Sequence, residues 1–190
     1  MNISTLRRIG LAGLLLLLFV IVTGIVLCIS PRTPISKQGD WIPFNTRQQY
    51  IGNSLTNGSL PYSEYYGNNY SCYSYGCSSI RVNAPNNSDV VVIIKVGNAD
   101  GRVINHAYIK AKASYNFEMP NGTYQTFFYY GKDWCPVKKM NRGIMGGFLS
   151  DEVFSKDHPQ TLNDQELTYT LVLQQNGNFS TKPSKSSEVF

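Results

Sequence analysis

The chain has 190 residues, a formal net charge of +5, 42% hydrophobic residues and only 15% charged ones. That composition excludes a disordered chain, and four Cys are too few for a disulfide-dense miniprotein. With 13 Tyr, 16 Gly and 9 Pro it favours β-structure rich in turns over a helical bundle.

Ile9 to Ile29 carries no charge, and Thr23 is its only hydroxyl. As a helix rising about 1.5 Å per residue it reaches roughly 30 Å, the hydrocarbon thickness of a bilayer. A cleaved signal peptide would have a shorter apolar region of about 7–15 residues ending in small residues. Here Cys28-Ile29-Ser30 runs into Pro31, and the bulky Leu27 before Cys28 disfavours a lipoprotein site. The expectation is an uncleaved signal-anchor. Arg7 and Arg8 precede the span, which places the N-terminus in the cytoplasm and the C-terminal domain outside. Those two residues hold part of the net charge, so the portion beyond the span is only about +3. Its bases, such as Lys110 and Lys112 or Lys138, Lys139 and Arg142, are scattered among acids and read as solvated surface charge. They allow a weak contact with anionic headgroups or an envelope polymer. Nucleic acid is not expected, because no basic stripe with interleaved aromatics occurs.

The expected organisation is a cytoplasmic N-terminus over 1–8, a transmembrane helix over 9–29, a stalk over 30–59, an extracytoplasmic domain over 60–181 and a loosely attached tail over 182–190. The stalk holds Pro31, Pro34 and Pro43 around the apolar island Trp41-Ile42-Pro43-Phe44. Asn57 to Ser79 is rich in Tyr, Asn, Ser and Gly and has no readable regular structure. From Ser79 onward Ile80, Val82 and Ala84 alternate with Arg81 and Asn83, as in a half-buried strand. Asp89 to Val96 is a nearly continuous β-branched run, the pattern of a strand covered on both faces. Asn98-Ala99-Asp100-Gly101 turns into a strand over Arg102 to Ile109, and Ser114 to Phe117 is another. After the turn Pro120-Asn121-Gly122-Thr123, the strand Tyr124 to Tyr130 puts Phe128 and Tyr130 on one face and Phe127 and Tyr129 on the other. Trp134 to Gln165 breaks the rhythm and reads as a long insertion or crossover. Leu167 to Leu173 alternates again, and Asn176-Gly177 turns into Asn178 to Thr181. Short strands at even spacing between such turns predict an all-β fold, a β-sandwich or barrel.

Several segments follow in order from His106 onward: Ala107-Tyr108-Ile109-Lys110-Ala111, Pro120-Asn121-Gly122-Thr123-Tyr124, Tyr129-Tyr130-Gly131-Lys132-Asp133-Trp134, Phe154-Ser155-Lys156, Leu167-Thr168-Tyr169-Thr170-Leu171 and Asn176-Gly177-Asn178-Phe179-Ser180-Thr181. As a set, over roughly residues 80–190, they resemble an uncharacterised group of bacterial single-span membrane-anchored β-domain proteins. No activity is attached to that group, so no catalytic residue carries over. More loosely, Val90 to Tyr130 is similar to transthyretin-like (prealbumin-like) or carboxypeptidase-regulatory-like β-sandwich modules, which generally act as spacers or binding units. The resemblance implies no cofactor, and fold analogy alone licenses no function.

Candidate chemistry is sparse. Cys72 and Cys77 sit in one Tyr- and Gly-rich loop, and in an oxidising compartment they are expected to form a disulfide contributing ~2–3 kcal/mol. Cys135 is then left over, although it could also pair with either of them. Zinc would need Cys72, Cys77, Cys135 and one of His106 or His158, but the second close pair of a structural site is missing. A thiol enzyme would pair Cys135 with His106 or His158 and a carboxylate such as Asp133 or Asp157. No Gly-x-Ser-x-Gly, His-Glu-x-x-His or Walker loop occurs. The sequons at Asn57, Asn69, Asn86, Asn121 and Asn178 read first as turn asparagines. Tyr62, Tyr65, Tyr66, Tyr70, Tyr73 and Tyr75 crowd one short stretch, suited either to a recognition surface or to capping an open sandwich edge. The expected role is a non-catalytic envelope interaction or assembly module. The alternatives are an envelope enzyme using Cys135 and His106, and an accessory subunit whose anchor packs in a larger membrane complex.

Overall fold

The computed structural model describes residues 43–72, 76–172 and 182–190, all within one compact unit, Gln38–Phe190. The predicted span 9–29, Tyr73, Tyr75 and the strand expected at Asn178 to Thr181 lie outside the described residues. Among the described residues no helix is long and apolar enough to cross a membrane.

The fold is all-β, in two sheets. Strands β1 (Cys77–Asn83), β4 (Ser114–Pro120) and β8 (Glu166–Thr170) form a three-stranded sheet. Its order is β4-β1-β8, with β1 antiparallel to β4 and parallel to β8. The larger sheet runs through β3 (Val103–Ile109), β2 (Asp89–Val96), β5 (Gly122–Lys139), β6 (Met145–Lys156) and β9 (Lys182–Pro183). Strand β7 (Gln160–Leu162) pairs with the start of β5. Strand alternation decides how the sheets meet. Val90, Val92 and Ile94 of β2, Ile109 of β3 and Phe128 and Tyr130 of β5 face Ile80, Val82, Phe117 and Met119 of the smaller sheet, forming one core. The Phe128 and Tyr169 rings meet edge-on across it at 5.1 Å. The opposite face of the same strands carries Val91, Ile93, Tyr108, Phe127 and Tyr129 into a second core. The continuous apolar run of β2 is thus buried on both sides, as its sequence predicts.

Three expectations change. The stretch from Trp134 to Gln165 is not an insertion. Strand β5 continues to Lys139, turns at Asn141–Gly143 and returns as β6. The pairing slips between Tyr130 and Lys132 and again between Cys135 and Lys139, where Pro136 has no N–H to give. Asp133 and Asp151 take left-handed backbone angles, φ 59° and φ 55°, within these strands. Each irregularity resets which residues share a face, so alternation ceases to be legible. At Gly131 an added Cβ would lie 2.3 Å from the Phe148 Cβ, so this close crossing of β5 and β6 requires glycine.

The described end of the expected stalk also packs on the domain. Helix α1 (Phe44–Gln49) places Arg47, whose Nη2 donates to the Leu149 carbonyl at 2.9 Å. Gly58 N–H donates to the Tyr108 carbonyl at 2.8 Å, and Tyr108 N–H donates back to Ser59 O at 2.8 Å. His106 N–H reaches Asn69 Oδ1 at 2.8 Å. These bonds occupy the outer edge of β3, which would otherwise be a template for unwanted pairing. Finally, the tail is docked. Its last turn, α3 (Ser186–Val189), is followed by Phe190, and both Val189 and Phe190 are buried in the second core. They supply apolar cover that the strand pattern alone does not reveal.

Candidate functional site

Among the described residues, the Tyr-rich segment does not present its rings on one surface. Helix α2 (Ser63–Tyr66) turns Tyr62 inward, fully buried against Trp134, His106 and Phe190. Its hydroxyl donates to the Gly146 carbonyl at 3.0 Å, and burial pushes its pKa well above the ordinary phenol range. Tyr62 is therefore a core residue, because a large ring with one satisfied polar tip fills the gap beneath the β5–β6 hairpin. Tyr66 is partly buried beside it, pushed up to about 12 by burial. Tyr65 is 42% exposed and accepts the Met145 N–H at 3.0 Å. Tyr70 is also exposed, and its backbone is tied to Asn105 Oδ1 at 2.7 Å.

Cys72 and Cys77 are joined in a disulfide that leads into β1. Their thiols are consumed, which removes two of the four candidate zinc ligands. Among the described residues no group of three His, Cys, Asp or Glu side chains is placed to hold a metal. Cys135 is a buried free thiol on β5, opposite Gly147. No hydrogen bond joins His106 to it among the described residues. The His106 imidazole packs beside the rings of Tyr62, at 6.2 Å, and Tyr66, at 5.7 Å, and its Nε2 has no hydrogen-bond partner among the described residues. Burial pushes it down to about 4, so it stays neutral near pH 7. His158 is exposed and bonds through its backbone N–H to Asp157 Oδ1 at 2.7 Å. Asp133 and Asp157 are structural ties. The first accepts the Gly52 N–H and the Ser150 hydroxyl, and the second the Tyr169 hydroxyl and the Gln160 amide.

The structure assembles a different group at the far end of the β5–β6 hairpin. A cavity of about 490 Å³ opens there, lined by Lys138, Lys139, Met140, Arg142, Glu152 and Phe154, with Ser186 of α3 at one side. Lys138 is buried at its floor. Its Nζ donates to the Phe148 carbonyl at 2.7 Å and pairs with the Glu152 carboxylate. The Tyr129 hydroxyl donates to the other Glu152 oxygen and accepts the Phe148 N–H at 2.7 Å. Burial first, then the Glu152 charge, holds the Tyr129 phenol far above its ordinary range. The three groups form a closed network in which every charge has a partner. Lys139 and Arg142 on the rim differ. Both are exposed, and neither has a carboxylate within 4.0 Å among the described residues.

Lys138, expected as solvated charge, is buried instead. Nothing local marks it, since Lys138 and Lys139 are identical neighbours and only the strand phase sends one inward. The groove's signal, three bases within five positions, was visible, but its apolar wall comes from β6 and α3. Comparison with known proteins identifies no relative: no family model, no curated protein and no solved structure matches the chain. The group suggested by residues 80–190 therefore remains an expectation.

Proposed function

We propose that this chain is a single-pass protein of the bacterial envelope, N-terminus in, whose β-sandwich stands outside the cell membrane as a non-catalytic interaction or assembly module. The observation that carries the reading is the hairpin groove, whose rim cations Lys139 and Arg142 lack a carboxylate partner among the described residues. A concave, charged and partly apolar site of this kind suits binding. The uncharged stretch 9–29, flanked by Arg7 and Arg8, supports the anchor and its orientation. The finer transthyretin-like reading draws support from the β2–β3 hairpin and from the passage of β4 into the second sheet before β5 returns beside β2.

The enzyme reading is the weaker one, because His106 packs against Tyr62 and Tyr66 and its Nε2 has no hydrogen bond to Cys135. Topology is tested by external protease on intact cells carrying a C-terminal tag. Cleavage of the tag is expected, and a resistant tag would reverse the orientation. Affinity capture then compares the full chain with residues 38–190 alone. Partners kept by the domain support an interaction module. Partners lost with the anchor favour an accessory subunit of a larger membrane complex.

A further inference from the structure

We infer that the groove between the β5–β6 hairpin and α3 binds an acidic peptide segment of a partner protein, with an apolar side chain next to the acid. The inference rests on the interaction-module reading and names the ligand class of that site. Three features set the class. The rim offers Arg142 and Lys139 without carboxylate partners among the described residues, so the incoming charge is negative. The wall offers Met140 and Phe154, so part of the ligand is apolar. The floor carries the Glu152 carboxylate, already paired with Lys138 but still partly exposed. That carboxylate can accept a backbone N–H, which a peptide supplies next to its acid and a phosphodiester lacks.

The domain already uses this recognition mode on its own terminus. Glu188 places Oε1 2.7 Å from the Lys156 Nζ, while Phe190 sets its ring against Tyr129 and Phe154 at 5.6 and 6.4 Å. Acid on lysine and ring on ring, two residues apart, hold the C-terminal turn in place. Phe154 belongs both to that contact and to the groove wall, so the groove continues the same surface past Ser186. A partner segment of the same chemistry would lie beside the chain's own end.

The test uses the full-length chain in phosphatidylcholine nanodiscs with ¹³C-methyl methionine. The chain has four Met. Met140 lines the groove, whereas Met119 is fully buried in the inter-sheet core and reports folding. N-acetyl-Glu-Phe-amide is expected to shift the Met140 methyl saturably and leave Met119 in place. N-acetyl-Gln-Phe-amide, and the Lys139→Gln/Arg142→Gln variant with the acidic peptide, are each expected to bind about fivefold more weakly, the scale of two exposed ion pairs. Equal response to the two peptides would overturn the inference, as would a silent Met140. A Met140 shift that needs inorganic phosphate or phosphatidylglycerol in place of the peptide would assign the groove to phosphate-bearing ligands instead. If the Gln variant perturbs Met119, the comparison of Glu and Gln peptides on the unaltered chain still decides. Captured partners together with a silent Met140 would sink the groove while leaving the module reading intact.

Discussion

The two faces of the larger sheet are built from the same strands and covered in different ways. One face meets another sheet. Its core of Val90, Val92, Ile94, Ile109 and Phe128 against Ile80, Val82 and Phe117 is largely β-branched and aliphatic with a few rings among it, and strand alternation alone places nearly every member. The other face is roofed by irregular pieces: the segment before β1, the curled β5–β6 hairpin and the C-terminal turn. Its cover is aromatic, with Tyr62, Trp134, Phe148 and Phe190 meeting edge-on or tilted. It also admits polar groups: Lys95 over the Phe127 ring, neutral His106, and the Lys138–Glu152–Tyr129 network. A sheet brings its backbone already paired and can bury plain hydrocarbon. Loops and hairpin ends bring unpaired groups that must each find a partner. The groove opens on this second face, where cover is pieced together.

The largest effect should distinguish the sheet-covered face. Phe128→Ala empties a fully buried site between two rigid sheets and is expected to cost about 3–5 kcal/mol in denaturant melts. A loss below ~1.5 kcal/mol would mean that the two sheets are not in register as described. On the roofed face, Lys138→Met strands the Glu152 charge. A loss of about 2–3 kcal/mol is expected, below the full buried-pair range because Glu152 is partly exposed. Removing both charges, Lys138→Met with Glu152→Leu, should recover most of it. A double variant no better than the single would show that Lys138 contributes through packing rather than charge.

His106 sharpens the contrast through pH. Its folded value is about 4 and its ordinary value 6.5. Between the two, the unfolded chain binds the proton and the folded chain does not, so stability is complete above about 6.5 and falls as the pH drops toward 4. The loss attributable to this residue by pH 4 is expected to be roughly 3 kcal/mol. It is measured as the difference in pH dependence between the unaltered chain and His106→Phe, and parallel curves for the two proteins would refute it. The smallest effect belongs to the C-terminal lock. Lys156 and neighbouring donors hold the Glu188 carboxyl down at about 2. Both side chains are partly exposed, so Lys156→Ala should cost under ~1 kcal/mol globally while raising amide exchange in residues 186–190.

Local pattern made the core strands legible. Asp89 to Val96 matches β2, and the Tyr124 to Tyr130 alternation assigns its residues to the correct faces. The disulfide could be read from two Cys close in sequence within one loop. The groove could not. Lys138 and Lys139 differ only in strand phase after a slip in pairing, and no composition signal records a slip. The burial of Phe190 was equally hidden, since a polar tail with two apolar residues at its end reads as loose until a pocket is known to await it.

Composition and period-two alternation alone determined an all-β fold, because those signals act between neighbours a few residues apart. Only the tertiary structure decided what roofs the second face, which tyrosine is core and where the open charges gather. Tyr62 bonds to Gly146 across 84 positions and Lys95 to Glu188 across 93. Contacts that distant depend on how whole strands bend and pair, and no residue announces its part in them beforehand.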